Sequence, residues 1–336
     1  MRTKVILVLI IFFSFLPAGL AQVKIGGYLS LGYIKGQEES DTYLGSFKNS
    51  QVGLLFSGDI ALKFDYAAEL RSEGNIIKIE QAWVRYKASD SFALSAGSFL
   101  VPFGRYNQAN RPHQTNLINP PLQVDEMYPS RWRELGILME GRFGSLFYSA
   151  YIGNGLGENE NLKESQQIED NNKDKAIGAR AGLLLSQKLA IAFSYYRGKY
   201  DEDSSRDLTF LGADLIWEFG GLHILSEYSQ AKLENPEPYS SGEIKGYFVQ
   251  VSFNIDNFRP VVSYQYLEYS DPFHGLGFVL PIYPGGGILE EKGRWSFGLV
   301  YFLAPALLFK LEYDNNREKI LELKNNTISA QVALSF

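Results

Sequence analysis

From residue 23 to its end the sequence keeps returning to one pattern: a short alternation of apolar and polar residues, a break, and the alternation again. In "IALKFDYAAELR" (60–71), Ile60, Leu62, Phe64, Tyr66, Ala68 and Leu70 share one parity, and Lys63, Asp65, Glu69 and Arg71 fall on the other. Successive side chains of a strand point to opposite faces, so this is a strand with one apolar and one charged face. Comparable segments lie at 23–34, 50–58, 77–87, 91–100, 134–141, 145–153, 176–186 and 188–198. They continue at 208–219, 222–230, 246–255, 258–269, 294–303, 306–314 and 327–336, which makes sixteen strands with the first example. Each is roughly nine to twelve residues, enough to cross a bilayer when tilted.

The breaks are sorted by length. Tight turns at Gly58-Asp59, Ala88-Asp90, Gly220-Gly221, Asp256-Asn257 and Ala304-Pro305 alternate with long connections at 35–47, 101–133, 154–175, 199–207, 231–243, 270–292 and 315–326. Short turns on one side and long loops on the other predict an all-β, closed, antiparallel transmembrane barrel, with periplasmic turns and outer loops. A β-sandwich does not sort its loops in this way. No composition shift breaks the chain, so residues 22–336 are expected to form one barrel domain.

The first 21 residues fit this placement. Arg2 and Lys4 precede an apolar run from Val5 to Leu16, and Gly19-Leu20-Ala21 supplies small residues before a cut. That is the layout of a secretory signal peptide, with cleavage expected after Ala21; the run is too short for a membrane-spanning helix. Its removal leaves 315 residues and takes the net charge from −6 to −8, which argues against a nucleic-acid partner. The chain has no cysteine, so it has neither disulfides nor thiolate-held metal, and no cofactor is expected. Its 21 Tyr and 23 Phe suit strands and interfacial girdles against outer-membrane lipid.

The apolar face must point outward. Sixteen strands enclose a space too wide for side chains to fill, so an apolar interior would be an empty hole, whereas a charged one holds water. Charged residues collect on the inward parity: Lys63, Arg71, Arg85, Lys87, Arg142, Arg180, Arg259, Arg294 and Lys310 against Asp65, Glu69, Glu134, Glu140, Asp214, Glu218, Glu227, Glu312 and Asp314. These balanced signs line the expected water path. Phe336 ends the last strand, and it resembles the terminal aromatic by which barrel-assembly machinery recognises such proteins.

Residues 101–133 are the least strand-like, with Pro102, Pro112, Pro120, Pro121 and Pro129. Long irregular loops in compact domains are commonly functional. This one is expected to fold into the lumen and narrow it, with Arg105, Arg111, Arg131 and Arg133 as a positive rim and Asp125 and Glu126 opposite.

"VPFG" (101–104), "PSRWRELG" (129–136) and "YIGNG" (151–155) resemble the phosphate-selective porin O/P family of Gram-negative outer membranes. The resemblance implies a sixteen-stranded, usually trimeric channel for small anions or other hydrophilic solutes. Members selective for phosphate line their constriction with lysines, and residues 100–130 contain none. The rival class, an outer-membrane hydrolase, needs an activated nucleophile. The three histidines, His113, His223 and His274, stand in no local motif with a serine and a carboxylate, and "PGGG" (284–287) lacks the rest of a phosphate loop. A structural or adhesion barrel would share the same wall.

Overall fold

The computed structural model describes residues 23–74, 76–159, 162–237, 241–271, 291–319 and 322–336. The leader at 1–21, His274 and the glycine run at 284–287 lie outside the described residues. Sixteen strands follow in order: β1 (Lys24–Gly36), β2 (Gln51–Ala61), β3 (Phe64–Glu73), β4 (Ile76–Ser89), β5 (Phe92–Leu100), β6 (Arg133–Phe143), β7 (Leu146–Gly153) and β8 (Ala176–Ser186). The second half comprises β9 (Leu189–Lys199), β10 (Asp207–Phe219), β11 (Leu222–Leu233), β12 (Gly242–Phe253), β13 (Phe258–Asp271), β14 (Glu291–Ala304), β15 (Leu307–Glu318) and β16 (Thr327–Ser335). Each strand pairs antiparallel with the next, and β16 returns to β1, so the barrel is closed as the alternation predicts. Closure matters in lipid, where an unpaired strand edge would leave backbone groups without partners. At the seam Gly27 and Phe336 exchange backbone hydrogen bonds of 2.9 and 3.0 Å. A Cβ on Gly27 would lie 2.5 Å from the Phe336 ring, so that ring rests on bare backbone.

Outward positions carry Leu29, Leu31, Phe193, Trp217, Trp295, Phe297 and Ile328, all exposed on the barrel's outer surface. Inward positions carry Glu69, Arg71, Arg180, Asp214, Glu227, Lys310, Glu312 and Gln331, all buried. The apolar face is the outer face.

Three features differ from the sequence expectation. The stretch 60–71 is not one strand: β2 runs through Gly58 and Asp59 to Ala61, Leu62 and Lys63 turn, and β3 begins at Phe64. Lys63 is therefore an exposed turn residue rather than part of the lumen wall. Alternation cannot detect this hairpin, because Asp59 and Asp65 pair directly and face the same way, so the parity carries straight through it. The second difference is a bulge in β4, where the register with β3 shifts between Glu69 and Leu70 and turns both Glu80 and Gln81 inward. The third is that the interior is not uniformly charged. Inward Tyr151, Tyr196, Phe210, Ile244, Phe248 and Leu267 form one apolar cluster with Phe103, Leu122, Val124, Met127, Tyr128 and Trp132 of the 101–132 segment. A folded-in segment supplies the apolar partner that an open barrel lacks, so no empty greasy hole arises.

Candidate functional site: a loop across the barrel interior

Residues 101–132 leave β5, cross the lumen and return to β6. The neck is tied by one side chain. Asn107, fully buried, donates to the carbonyls of Val101 and Trp132 (both 2.9 Å) and accepts from the Trp132 N–H (2.7 Å). The prolines keep the segment from becoming a strand or a long helix, leaving two short helices, α1 (Tyr106–Ala109) and α2 (Leu122–Met127).

The wall grips this loop through its backbone. Glu227 of β11 accepts from the N–H groups of Arg105 (2.7 Å) and Tyr106 (2.5 Å). Gly104, at φ +63°, approaches so closely that a Cβ there would lie 2.5 Å from the same carboxylate, so glycine is required. Further along, Glu312 of β15 accepts from the N–H groups of Ile118 and Asn119. Beside it Lys310, fully buried, donates to Thr115 Oγ1 (3.0 Å) and the Leu117 carbonyl (3.3 Å). Asn119 reaches Asp314 (2.8 Å) and Ser329 (3.3 Å), and Gln265 accepts from the Leu122 N–H (3.0 Å).

Glycines on alternate strands make room for loop side chains. Phe103 sits over Gly212 of β10, Gln123 over Gly246 of β12, and Leu117 over Gly298 of β14; a Cβ at these glycines would come within 2.8, 2.8 and 2.6 Å of them.

On the other flank a buried charge cluster holds the loop to β1, β3 and β4. Arg111 donates to both oxygens of Glu69 (3.1 and 2.5 Å). Arg131 reaches Glu69 (2.6 Å), Tyr28 Oη (2.8 Å) and, more loosely, Glu80 (3.4 Å). Arg71 pairs with Glu80 at 2.6 Å and Arg133 reaches it at 3.4 Å. Breaking such a pair from one side costs about 3–5 kcal/mol, because the remaining charge is left without compensation.

The residues singled out in the sequence thus separate into groups. Arg111 and Arg131 come together on Glu69. Arg133 lies on β6 rather than in the loop. Arg105 is exposed and its side chain has no partner among the described residues. Asp125 and Glu126 are on α2, where Glu126 pairs with Lys292 at 2.9 Å. Burial would push the Glu126 carboxyl up, but Lys292 outweighs it and holds it below the usual range. Burial, and then the charge of Glu126, push Asp125 up. On the wall, Arg85 is bidentate on Asp65 (3.0 and 2.6 Å) and also meets Glu140 (2.9 Å). Arg180 is bidentate on Asp214 (3.1 and 2.6 Å). Lys87 pairs with Asp90 at 3.2 Å, and Arg294 bonds Asn316 (2.8 Å) and the Pro120 carbonyl (3.3 Å). Glu80 and Asn107 are not among the residues singled out from the sequence. The β4 bulge had a signal, since the apolar parity of Ile77 and Ile79 switches to Ala82, Val84 and Tyr86; Asn107 had none.

A cavity of about 560 Å³ remains between the loop and the β4–β8 wall. It is lined by Trp83, Arg85, Glu140, Phe147 and Arg180, with Gln108 and Arg111 on the loop side, and it reaches Ser89 and Asp90 at the turn end.

A closed sixteen-strand barrel with an apolar exterior, a polar wall and a loop folded across its lumen defines an outer-membrane diffusion channel. The chain belongs to the Gram-negative porin family, whose model matches residues 7–321. It therefore resides in the outer membrane and lets small hydrophilic solutes pass passively. An uncharacterized protein of Aquifex aeolicus (strain VF5) is 23% identical over 353 residues, spanning 91% of this chain and 78% of the relative. Among solved structures, Salmonella typhi OmpF superposes with a TM-score of 0.68 at 10% identity, covering 94% of this chain and 97% of the other. The trimer form of Vibrio cholerae OmpT gives 0.65 at 12% identity, covering 94% and 100%. An anion-selective porin from Comamonas acidovorans gives 0.65 at 11% identity, also covering 94% and 100%. These likenesses are of fold.

Proposed function

We propose that the 101–132 loop sets the bore of this channel and gives it a mild preference for small anions. The observation that carries the preference is how charge is used around the loop. Glu227 and Glu312, both buried, are occupied by backbone N–H groups of the loop, and buried Glu134 accepts from the Gly155 N–H at 2.8 Å. Two cations beside the loop have no carboxylate partner among the described residues and remain accessible: Arg105 is exposed, and Arg294 is half-buried on an amide and a carbonyl. Accessible positive charge without a counter-ion thus stands beside the loop, and a surplus of one sign in a narrow bore favours the opposite ion. Arg85 and Arg180 are neutralised by Asp65, Glu140 and Asp214, which keeps the preference mild. Specificity for phosphate is not part of this reading, since the loop offers no lysine.

A reversal potential in a potassium chloride gradient tests this directly. The expected value lies on the chloride side, and Arg105→Ala moves it toward potassium; a potassium-selective wild type would refute the preference. A trimer is the proposed assembly, by analogy with porins, and native mass of the detergent-purified protein checks it. Catalysis is not part of the proposal: His113 lies beside the Tyr28 ring and His223 bonds Asn254, with no hydroxyl nucleophile bonded to either.

A further inference from the structure

At the turn end of the barrel a chain of polar side chains runs from the rim to the interior loop. Glu218 of β10 and His223 of β11 are opposite one another, with the carboxylate 3.6 Å from the imidazole Nδ1. The other ring nitrogen, Nε2, is 2.9 Å from Asn254 Nδ2 in the β12–β13 turn. Asn254 Oδ1 accepts from Arg259 Nε at 2.7 Å, and Arg259 Nη1 donates to Asn116 Oδ1 of the loop at 2.9 Å. Arg259 also stacks on Phe302, 5.0 Å from its ring centre, and it has no carboxylate in ion-pair distance among the described residues.

Donor and acceptor roles along this chain are forced. A guanidinium only donates, so the Asn254 atom facing Arg259 must be the oxygen, and the amide nitrogen must face His223. That nitrogen also only donates, so His223 Nε2 must accept. The ring is therefore neutral, with its proton on Nδ1 toward Glu218.

We propose that Arg259 is an anion-contacting residue of the turn-side mouth, held between Asn254 and the interior loop while His223 is neutral and freed from Asn254 when His223 takes up a proton. A proton arriving at Nε2 from the turn-side solution makes that nitrogen a donor facing a donor. Turning the Asn254 amide over satisfies the imidazolium but presents NH2 to Arg259 Nε, again donor to donor. The neutral network cannot satisfy both cations, so Arg259 leaves Asn254 and keeps only its bond to Asn116, which frees its Nε edge toward the mouth. Glu218 is the charged group facing His223 from β10. From the other side it meets Ser252 of β12, which is neutral, and then Asn254 with Arg259 behind it. Imidazole is the side chain whose charge changes between about pH 5 and 8, which sets the pH step of the test. Burial first, and then Arg111 and Lys310, push His113 down to about 4, so it stays neutral through this range.

The proposal rests on the protein conducting, and the test separates the two. The purified chain is inserted in planar bilayers in one orientation under a potassium chloride gradient, and only the turn side is stepped from about pH 8 to about pH 5.5. The wild type is expected to gain chloride preference. His223→Gln is expected to lose that gain. Asn254→Asp is expected to lose it too, because a carboxylate accepts from imidazolium and guanidinium together. Arg259→Lys, which cannot bridge both amides, should show the higher preference at both pH values, and His113→Gln should behave as wild type. Discrete single-channel steps at about pH 8, together with the gel shift between folded and heat-denatured barrel, confirm that each variant is assembled. A silent wild type would refute the channel itself. A conducting wild type without the pH response, or an Asn254→Asp or Arg259→Lys variant that keeps it, overturns this proposal alone.

Discussion

Replacing Glu227 with alanine removes one of the two carboxylates that hold the interior loop by its backbone. In the native barrel that group accepts from two consecutive N–H groups, on Arg105 and Tyr106, at 2.7 and 2.5 Å. Truncation leaves both donors facing a space too confined for free hydration on the Tyr106 side. A buried donor left without its acceptor costs about 1–3 kcal/mol. Arg105 is exposed, so water partly compensates its N–H, and the two together weaken seating by about 2 kcal/mol. At about 1.4 kcal/mol per tenfold, the unseated population of the 104–106 segment rises roughly thirtyfold. The loop stays attached at its neck through Asn107 and at its far end through Glu312, so it loosens rather than leaves. Single-channel recording should show more open-channel noise and a larger mean conductance than wild type. Infrared β-sheet content should be unchanged, because no inter-strand hydrogen bond is touched. Noise and conductance equal to wild type would refute the view that wall carboxylates position the loop.

Other substitutions probe the remaining parts. Gly298→Leu fills the notch that seats Leu117 and should widen the channel, read as raised conductance, whereas Gly293→Leu, with nothing nearer than 3.8 Å to the new Cβ, should leave it unchanged. Asn107→Leu deletes three buried hydrogen bonds at the loop neck, and the melting temperature should fall by an amount matching about 2–4 kcal/mol. Gly27→Leu puts a side chain where the Phe336 ring and the Gly53 carbonyl of β2 lie; folding into detergent or lipid, followed by the gel shift between folded and heat-denatured barrel, should slow while the fourteen strand pairs that do not involve β1 remain compatible with the sequence. His113 is held neutral in the folded loop, with its pKa depressed to about 4 against about 6.5 when unfolded. Between those values the unfolded chain binds more protons, so stability falls as pH drops through the window and levels off below it. His113→Gln should flatten that part of a pH–stability curve.

Most of the barrel was legible because its rule is local and repeated. A period of two, carried over sixteen segments with sorted loop lengths, leaves few alternatives, and β16 closing on β1 follows from the need to satisfy every strand edge. What escaped is what the period does not encode. The hairpin at Leu62-Lys63 preserves parity, so nothing in the alternation marks it. The charged parity located Glu69, Arg180, Asp214, Glu227 and Glu312 on inward positions, yet gave no hint that Glu227 and Glu312 bind backbone. Tyr196, Phe210 and Phe248 sit at inward positions, and their partners, Phe103, Tyr106 and Trp132, come from one loop far along the chain. Long-range packing of that kind is invisible to a pattern read along one strand at a time.

The central claim, that the 101–132 loop sets the bore of a water-filled channel, is tested most directly by single-channel conductance in planar bilayers. Wild type is compared with a chain in which residues 104–130 are replaced by a short glycine-serine link. Discrete steps are expected from the wild type and clearly larger steps from the shortened chain. Steps of equal size, or a wild type that inserts and does not conduct, would contradict it.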